Sequence, residues 1–323
     1  MDARAWQTRG AKTPAFSDPY RTADGALRAH VTFRGLKTLW FNTGTLCNLT
    51  CRNCYIGSSP VNDSLTWLNL AEVTGYLDQT PGLSGGPLEI GFTGGEPFMN
   101  PDIIAMIDTA LDRAHRVLVL TNAMRPMEKW ADALLAIQRK YGPGRLAIRV
   151  SVDHYRAALH ESERGANTWQ PMLKGLKWLS ENGFKIAVAG RTFCGENDAS
   201  LRQGFGKLFA AEGIAIEAFD PAALILFPEM DSTRSVPEIT TDCWRILNVD
   251  PADMMCAASR MIVKRRGAAR PVVLPCTLLT DDTRFDMGPH LAGATGMVSL
   301  NHPHCARFCV LGGGSCSAPG NAG

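Results

Sequence analysis

The chain has 323 residues, of which 45% are hydrophobic and 20% charged, with a net charge of +2 at neutral pH. That size fits one large domain plus an appendage, and the charge is too near neutral to imply an extended nucleic-acid surface. No run approaches the ~18 consecutive apolar residues of a membrane span, and Met1-Asp-Ala-Arg-Ala-Trp-Gln-Thr-Arg-Gly10 lacks the apolar core of a secretion signal, so a cytoplasmic protein is expected.

Residues 1–36 are polar, carry Pro and Gly, and show no clear period; they read as an extension that packs on the main domain. From there, apolar strand-like runs at 38–43, 88–93, 116–121, 146–152, 184–189 and 214–219 alternate with helix-period segments at 67–80, 101–114, 127–140, 168–182 and 199–212. The segment 101–114 is the clearest helix. Asn100 is its expected N-cap, Pro101 its first residue, and Ile103, Ile107, Ala110, Leu111 and Ala114 recur at helical spacing. The segment 168–182 is expected to end at Gly183, as a helix preceding a strand often does. Six βα units imply a parallel sheet with helices outside it. The pattern alone fits a partial barrel and an open doubly wound sheet equally.

Just past the first strand, Cys47, Cys51 and Cys54 read C-x3-C-x2-C. Ten cysteines in a cytoplasmic chain argue for metal binding over a disulfide framework. Three thiolates on one loop suit a [4Fe–4S] cluster that keeps one iron without a protein ligand, because such clusters ordinarily take four cysteines. An open coordination position is what lets a metal site do chemistry. After the second strand comes Gly91-Phe-Thr-Gly-Gly-Glu-Pro97.

These two motifs, in this order and separation, resemble the signature of the radical S-adenosylmethionine (SAM) superfamily. The resemblance implies an α/β fold, a partial (β/α)6 barrel of the TIM type, with SAM chelating the open iron. Both motifs then fall at the C-terminal ends of strands, where catalytic groups gather in such barrels. Gly94, Gly95 and Glu96 resemble the family's GGEP motif for the methionine amino group. The residue before the third cysteine is usually aromatic in the family. Here it is Asn53, and Tyr55 is the candidate adenine contact instead. Asn122 resembles a polar residue that relatives hold near SAM. Ser151 and Asp153 lie on one side of a strand and resemble the ribose-binding position. Arg191 is a candidate for a bidentate pair with SAM's carboxylate. Asn122 and Arg191 read equally as turn groups that satisfy backbone.

Beyond the barrel, Cys256 and Cys276 bracket two β-branched runs around a Gly267-centred turn, a hairpin signal. Its basic run Lys264-Arg265-Arg266 reads as a solvated tip. Cys305, Cys309 and Cys316 come next, the last after three consecutive glycines that let backbone approach a cluster closely. This arrangement is similar to the SPASM and twitch extensions of radical SAM enzymes. It implies one auxiliary [4Fe–4S] cluster on Cys256, Cys276 and two of Cys305, Cys309 and Cys316, in a small cysteine-rich α+β extension. A zinc knuckle using His302 and His304 is the alternative. Cys243 reads as a small buried hydrophobe and Cys194 as a packed free thiol, with a hydrogen-atom donor or a substrate anchor as the alternatives. Glu196, Glu217 and Asp220 are either general bases or ordinary acidic loop residues. The expected domains are the extension 1–36, the barrel 37–225 and the auxiliary-cluster domain 226–323, which is expected to cap the barrel's open end.

The resemblance implies reductive cleavage of SAM to methionine and a 5′-deoxyadenosyl radical, which abstracts hydrogen from an unactivated carbon. A one-electron donor such as flavodoxin or ferredoxin is the implied partner. Three functions are compatible: oxidation or rearrangement of a small molecule, maturation of a peptide, and a non-catalytic Fe–S redox sensor. With no small peptide-recognition domain evident at the short N-terminus, the first is the expectation. An intact GGEP motif argues against the sensor, which has no need to grip SAM.

Overall fold

A computed structural model describes residues 14–193, 195–230 and 234–315; Cys194 and Cys316 lie outside them. The described strands, in chain order, are β1 His30–Val31, β2 Thr38–Asn42, β3 Glu89–Thr93, β4 Arg116–Thr121, β5 Leu146–Asp153, β6 Lys185–Thr192, β7 Leu224–Pro228, β8 Ser259–Val263, β9 Val272–Leu274 and β10 Val298–Ser299. The helices are α1 Leu70–Leu77, α2 Ile103–Asp112, α3 Arg125–Glu128, α4 Ala131–Tyr141, α5 Ala157–Arg164, α6 Trp169–Glu181, α7 Asp198–Glu212 and α8 Cys243–Ile246.

Strands β2 to β7 are parallel neighbours in one sheet, joined by helices. This is the expected partial barrel, and it stays unclosed. The order runs β7-β6-β5-β4-β3-β2-β8-β9, with different strands at its two edges. All five residues of β2 are buried, as a parallel strand covered on both faces requires. One apolar core lies between sheet and helices and includes Leu39, Phe41, Ile90, Phe92, Ile107, Leu111, Val119 and Leu176. A second lies on the other face, where Trp40, Leu118 and Met261 meet Leu278 and Phe308 from the C-terminal segment.

Local chemistry sets most element ends. Asn69 and Glu72 form a reciprocal capping box at α1, and Asn197 caps α7 through the Ser200 amide. The chain leaves α6 through Gly183 at φ +69, as the sequence implied. Helix α2 differs from its expected form. Its cap is Asp102, while Asn100 turns its side chain to the Asp102 amide and the Leu68 carbonyl. Ala114 lies past its end at positive φ.

Two corrections concern the barrel. The sixth strand is Leu224–Pro228, not 214–219. Ile214, Ile216 and Ala218 alternate like a strand, but they turn beneath the sheet, with the Ile216 amide on the Ile214 carbonyl, and pack on the main core. Their burial produced the alternation without any sheet pairing. Helix α5 was not anticipated; two turns of mostly polar sequence carry too little periodicity.

The hairpin β8–β9 forms as expected, with Met261 opposite Leu274 and Val263 opposite Val272. It does not stand apart. Strand β8 pairs in parallel with β2, Ser259 beside Thr38, so the extension widens the barrel sheet. Cys256 and Cys276 therefore sit beyond the N-terminal end of β2, opposite the 47–54 loop. The hairpin tip is also not simply solvated. Lys264 pairs with Glu72, Arg265 with Asp286 and Arg266 with Asp63, tying it to α1 and to two loops.

The described part of the N-terminal extension packs mainly on the C-terminal one rather than on the barrel. Strand β1 pairs with β10, buried Arg28 meets Glu238, and Phe16, Ala29 and Val31 share a core with Cys256, Leu300 and Cys305. Among the described residues, no helix is long and apolar enough to cross a membrane.

Candidate active site

The C-terminal ends of β2 to β7 surround a cavity of about 1080 Å³, part of it continuous with solvent. Cys47, Cys51, Cys54 and Tyr55 line it, as do Gly94, Gly95, Asn122, Ser151, Asp153 and Arg191. Apart from Glu96, every sequence candidate for the first cluster and for SAM faces this one space. A cavity shared by five separate chain segments is the property that sequence spacing could not give.

The loop carrying the three thiols is fastened to the glycine motif by backbone. The Gly95 amide donates to the Gly44 carbonyl at 2.8 Å and the Glu96 amide to the Leu46 carbonyl at 3.1 Å. A Cβ on Gly95 would lie 2.1 Å from the Leu46 oxygen, and one on Gly94 2.5 Å from the Gly44 oxygen. Gly94 also sits at φ +136, a conformation only glycine takes readily. Both glycines are there so that two loops can touch. Backbone amides of Leu49 and Ser58 approach the Cys47 and Cys54 sulfurs at 3.4 and 3.3 Å. Burial pushes the Cys47 thiol up to about 12, so it ionises only when a cation shares the site.

Glu96 lies below the cavity wall, 2% exposed. Its carboxylate accepts from Thr121 Oγ1 at 2.9 and 3.0 Å, from the Asn122 amide at 2.9 Å and from the Phe98 amide at 3.1 Å. It thus binds the glycine motif to the end of β4. Burial raises it to about 7, against the opposing pull of those donors. Asn122 in turn donates to Asn48 and accepts from the Met124 amide, so it braces the cysteine loop while lining the cavity.

Asp153 and Arg191 meet each other. Arg191 Nε is 3.1 Å from Asp153 Oδ1, and Arg164 Nε is 2.8 Å from Oδ2. Burial would raise the Asp153 carboxyl, but the two guanidinium groups outweigh it and hold it below the usual range. The register shifts between Ser151 and Asp153, which takes φ +57; this bulge turns Asp153 toward the arginines. Arg164 lines the cavity and was missed from sequence. It ends α5, the element whose short polar pattern gave no signal. The neighbouring Glu163 accepts from Asn53, and its carbonyl takes the Arg52 amide at 2.7 Å. Asn53 therefore anchors the cysteine loop to α5, in the place where an aromatic was expected.

Glu196, Glu217 and Asp220 do not line the cavity. Glu196 accepts from Tyr155 at 2.9 Å and stands 3.3 Å from His154 Nε2, while Glu217 and Asp220 bind turn amides.

At the other end of the sheet, Cys256, Cys276 and Cys305 are buried and Cys309 half-buried. The four lie close enough that Cys256, Cys305 and Cys309 all oppose ionisation of Cys276, whose thiol burial already pushes well up. No three His, Cys, Asp or Glu among the described residues converge as ligands of a single ion. His302 and His304 contact each other, rings 4.5 Å apart, beside a second, shallower pocket with Asp281 and Asp282. Between the two cysteine groups stand Trp40, Leu278 and Phe308, the last two lining the main cavity.

A family model described as the radical SAM superfamily matches residues 41–203. The antilisterial bacteriocin subtilosin biosynthesis protein AlbA of Bacillus subtilis is 28% identical over 148 residues, 46% of this chain and 31% of that protein. A GTP 3′,8-cyclase of Mannheimia succiniciproducens is 29% identical over 150 residues, 44% of this chain and 41% of that enzyme. The chain thus matches less than half the length of these curated relatives. The crystal structure of Streptococcus suis SuiB bound to the precursor peptide SuiA superposes with a TM-score of 0.55 at 14% identity. That match covers 81% of this chain and 63% of that one.

Proposed function

The chain belongs to the radical SAM superfamily, and from that premise we propose that it is a peptide maturase. On this reading it uses one SAM-binding [4Fe–4S] cluster and one auxiliary [4Fe–4S] cluster to oxidise a residue of a peptide. The observation that carries the radical chemistry is the single cavity shared by three thiols and the Gly94–Gly95 cradle. The peptide reading rests on the likeness to AlbA, named for bacteriocin biosynthesis, and to SuiB, crystallised with its precursor peptide.

The residues present fit the groups this chemistry needs. Cys47, Cys51 and Cys54 supply three soft ligands and leave a fourth corner open. When bound, the cluster and SAM supply reductive sulfonium cleavage to methionine and a 5′-deoxyadenosyl radical. The chain's own part is binding, orientation and exclusion of water. Gly94 and Gly95 let backbone reach the space beside the thiols. Arg164 and Arg191 lend positive charge to a cavity that must take a carboxylate. Leu49, Leu120, Phe227, Leu278 and Phe308 wall it with apolar surface. Net oxidation of a carbon needs a one-electron sink after the hydrogen is removed. Cys256, Cys276, Cys305 and Cys309 would hold one, four thiols matching the four a cube takes.

The test is anaerobic reconstitution, reduction with dithionite and assay of 5′-deoxyadenosine from SAM. Wild type is expected to cleave SAM and Cys51→Ala to be inactive; activity in that variant overturns the radical reading. Substrate class comes from the same assay with extracts of the source cells. Stimulation abolished by pre-digesting the extract with a protease supports a peptide. Stimulation that survives digestion favours a small molecule, the reading to which the cyclase likeness points.

A further inference from the structure

Arg260 is the second residue of β8 and 1% exposed. A buried guanidinium ordinarily has a carboxylate partner, because desolvating an unpaired charge is costly. Arg260 has none among the described residues. Its Nη1 donates to the Cys256 carbonyl at 2.8 Å, and to that of Ser259; its Nε donates to the Ala294 carbonyl. Its Nη2 is buried with no partner. The Phe33 ring closes over one side, with Cζ 4.2 Å from the centroid.

Carbonyl dipoles do not neutralise a full positive charge, so the fold holds a cation that no carboxylate among the described residues answers. The groups that feel the charge are the Cys256 and Cys276 thiols. A guanidinium keeps its proton in proteins, so this group is cationic at neutral pH. A [4Fe–4S] cube held by four thiolates is an anion, and an anion at these cysteines would complete the pairing.

We propose that Arg260 is the electrostatic counter-charge of the auxiliary cluster, making that cluster easier to reduce. This rests on the two-cluster reading of the proposed function. Arg260 is a positioning residue rather than a ligand: it acts on the cluster through charge and through its hold on the Cys256 backbone. Adding an electron makes an anionic cube more negative, so a fixed cation beside it favours the reduced form. The functional consequence is an electron sink poised to accept from a substrate radical in a dry interior that would otherwise disfavour added negative charge.

The experiment is an EPR-monitored reductive titration of the reconstituted full chain, with iron counted per chain, for wild type, Arg260→Gln and Arg260→Lys. Two clusters require about eight irons per chain. Wild type with about four irons overturns the two-cluster reading, and this proposal with it, before any potential is compared. With eight irons, the glutamine variant is expected to shift the auxiliary cluster's reduction equilibrium at least tenfold toward the oxidised form, about 59 mV for a one-electron couple. The lysine variant, which keeps the charge, should stay within threefold of wild type. An unchanged potential in the glutamine variant overturns the proposal, as does an equal shift in both variants. If the glutamine protein folds by circular dichroism but takes up only one cluster, loading of both clusters by the lysine protein supports the counter-charge role. Loss of the auxiliary cluster from the lysine protein as well assigns Arg260 to carbonyl capping alone and overturns it.

Discussion

Arg164 reaches Asp153 from the end of α5, its Nε 2.8 Å from the carboxylate, and both side chains are almost fully buried. This pair joins an element invisible in the sequence to one of its better-marked strand ends. Removing one partner of a buried pair strands the other's charge. Arg164→Met is therefore expected to cost roughly 3 kcal/mol, with Arg191 still on Asp153 limiting the loss. Urea unfolding of the unreconstituted protein measures it, and a change below about 0.5 kcal/mol contradicts the buried pair.

The pH dependence of that pair has a definite sign. The folded Asp153 carboxyl lies below its ordinary 3.8, so the pair's contribution is complete above that value and is lost as pH falls through the lower folded one. The stability gap between wild type and Asp153→Asn should hold steady from neutrality down to about pH 5 and narrow only in stronger acid. Narrowing already near pH 6 would mean the arginines do not hold the carboxylate.

Glu96 behaves oppositely. Its folded value, about 7, exceeds the ordinary 4.5, so the folded state holds the proton more tightly than the unfolded chain does. Wild-type stability relative to Glu96→Gln is therefore expected to fall as pH rises from 4.5 to about 7, then level off. Denaturant midpoints across that range test it; a rise with pH would contradict burial as the dominant influence.

Gly95→Ala places a methyl carbon on the Leu46 carbonyl, and backbone cannot yield as a flexible side chain can. The cysteine loop must move away from β3. Iron bound at the first site and 5′-deoxyadenosine yield are expected to fall at least tenfold, while the second site keeps its iron. Normal SAM cleavage in this variant would mean the two loops need not touch.

Cys276→Ala is expected to lower bound iron by about four per chain and leave SAM cleavage within about threefold of wild type, because Cys276 lies at the opposite end of the sheet from Cys47. Iron content equal to that of wild type, with zinc found in the wild-type protein by elemental analysis, would restore the zinc alternative.

The sequence carried the chemistry where identity and spacing within one loop suffice. Cys47, Cys51 and Cys54, the Gly94–Gly95 pair and the hairpin bracketed by Cys256 and Cys276 were legible because each is a local pattern, as were the first five barrel strands. The false strand at 214–219 shows the limit: burial against a core mimics strand alternation, and only hydrogen-bond pairing tells them apart. Tertiary structure alone decided the rest. It turned Asp153 toward two arginines, withdrew Glu96 beneath the cavity wall and put Arg260, with no carboxylate partner among the described residues, beside the second set of thiols. It also joined β8 to β2, which sends the two cysteine groups to opposite ends of one sheet. Electrostatic partners and strand neighbours far apart in the chain leave no periodic trace, because the energy that selects them arises only when the folded chain excludes water from both.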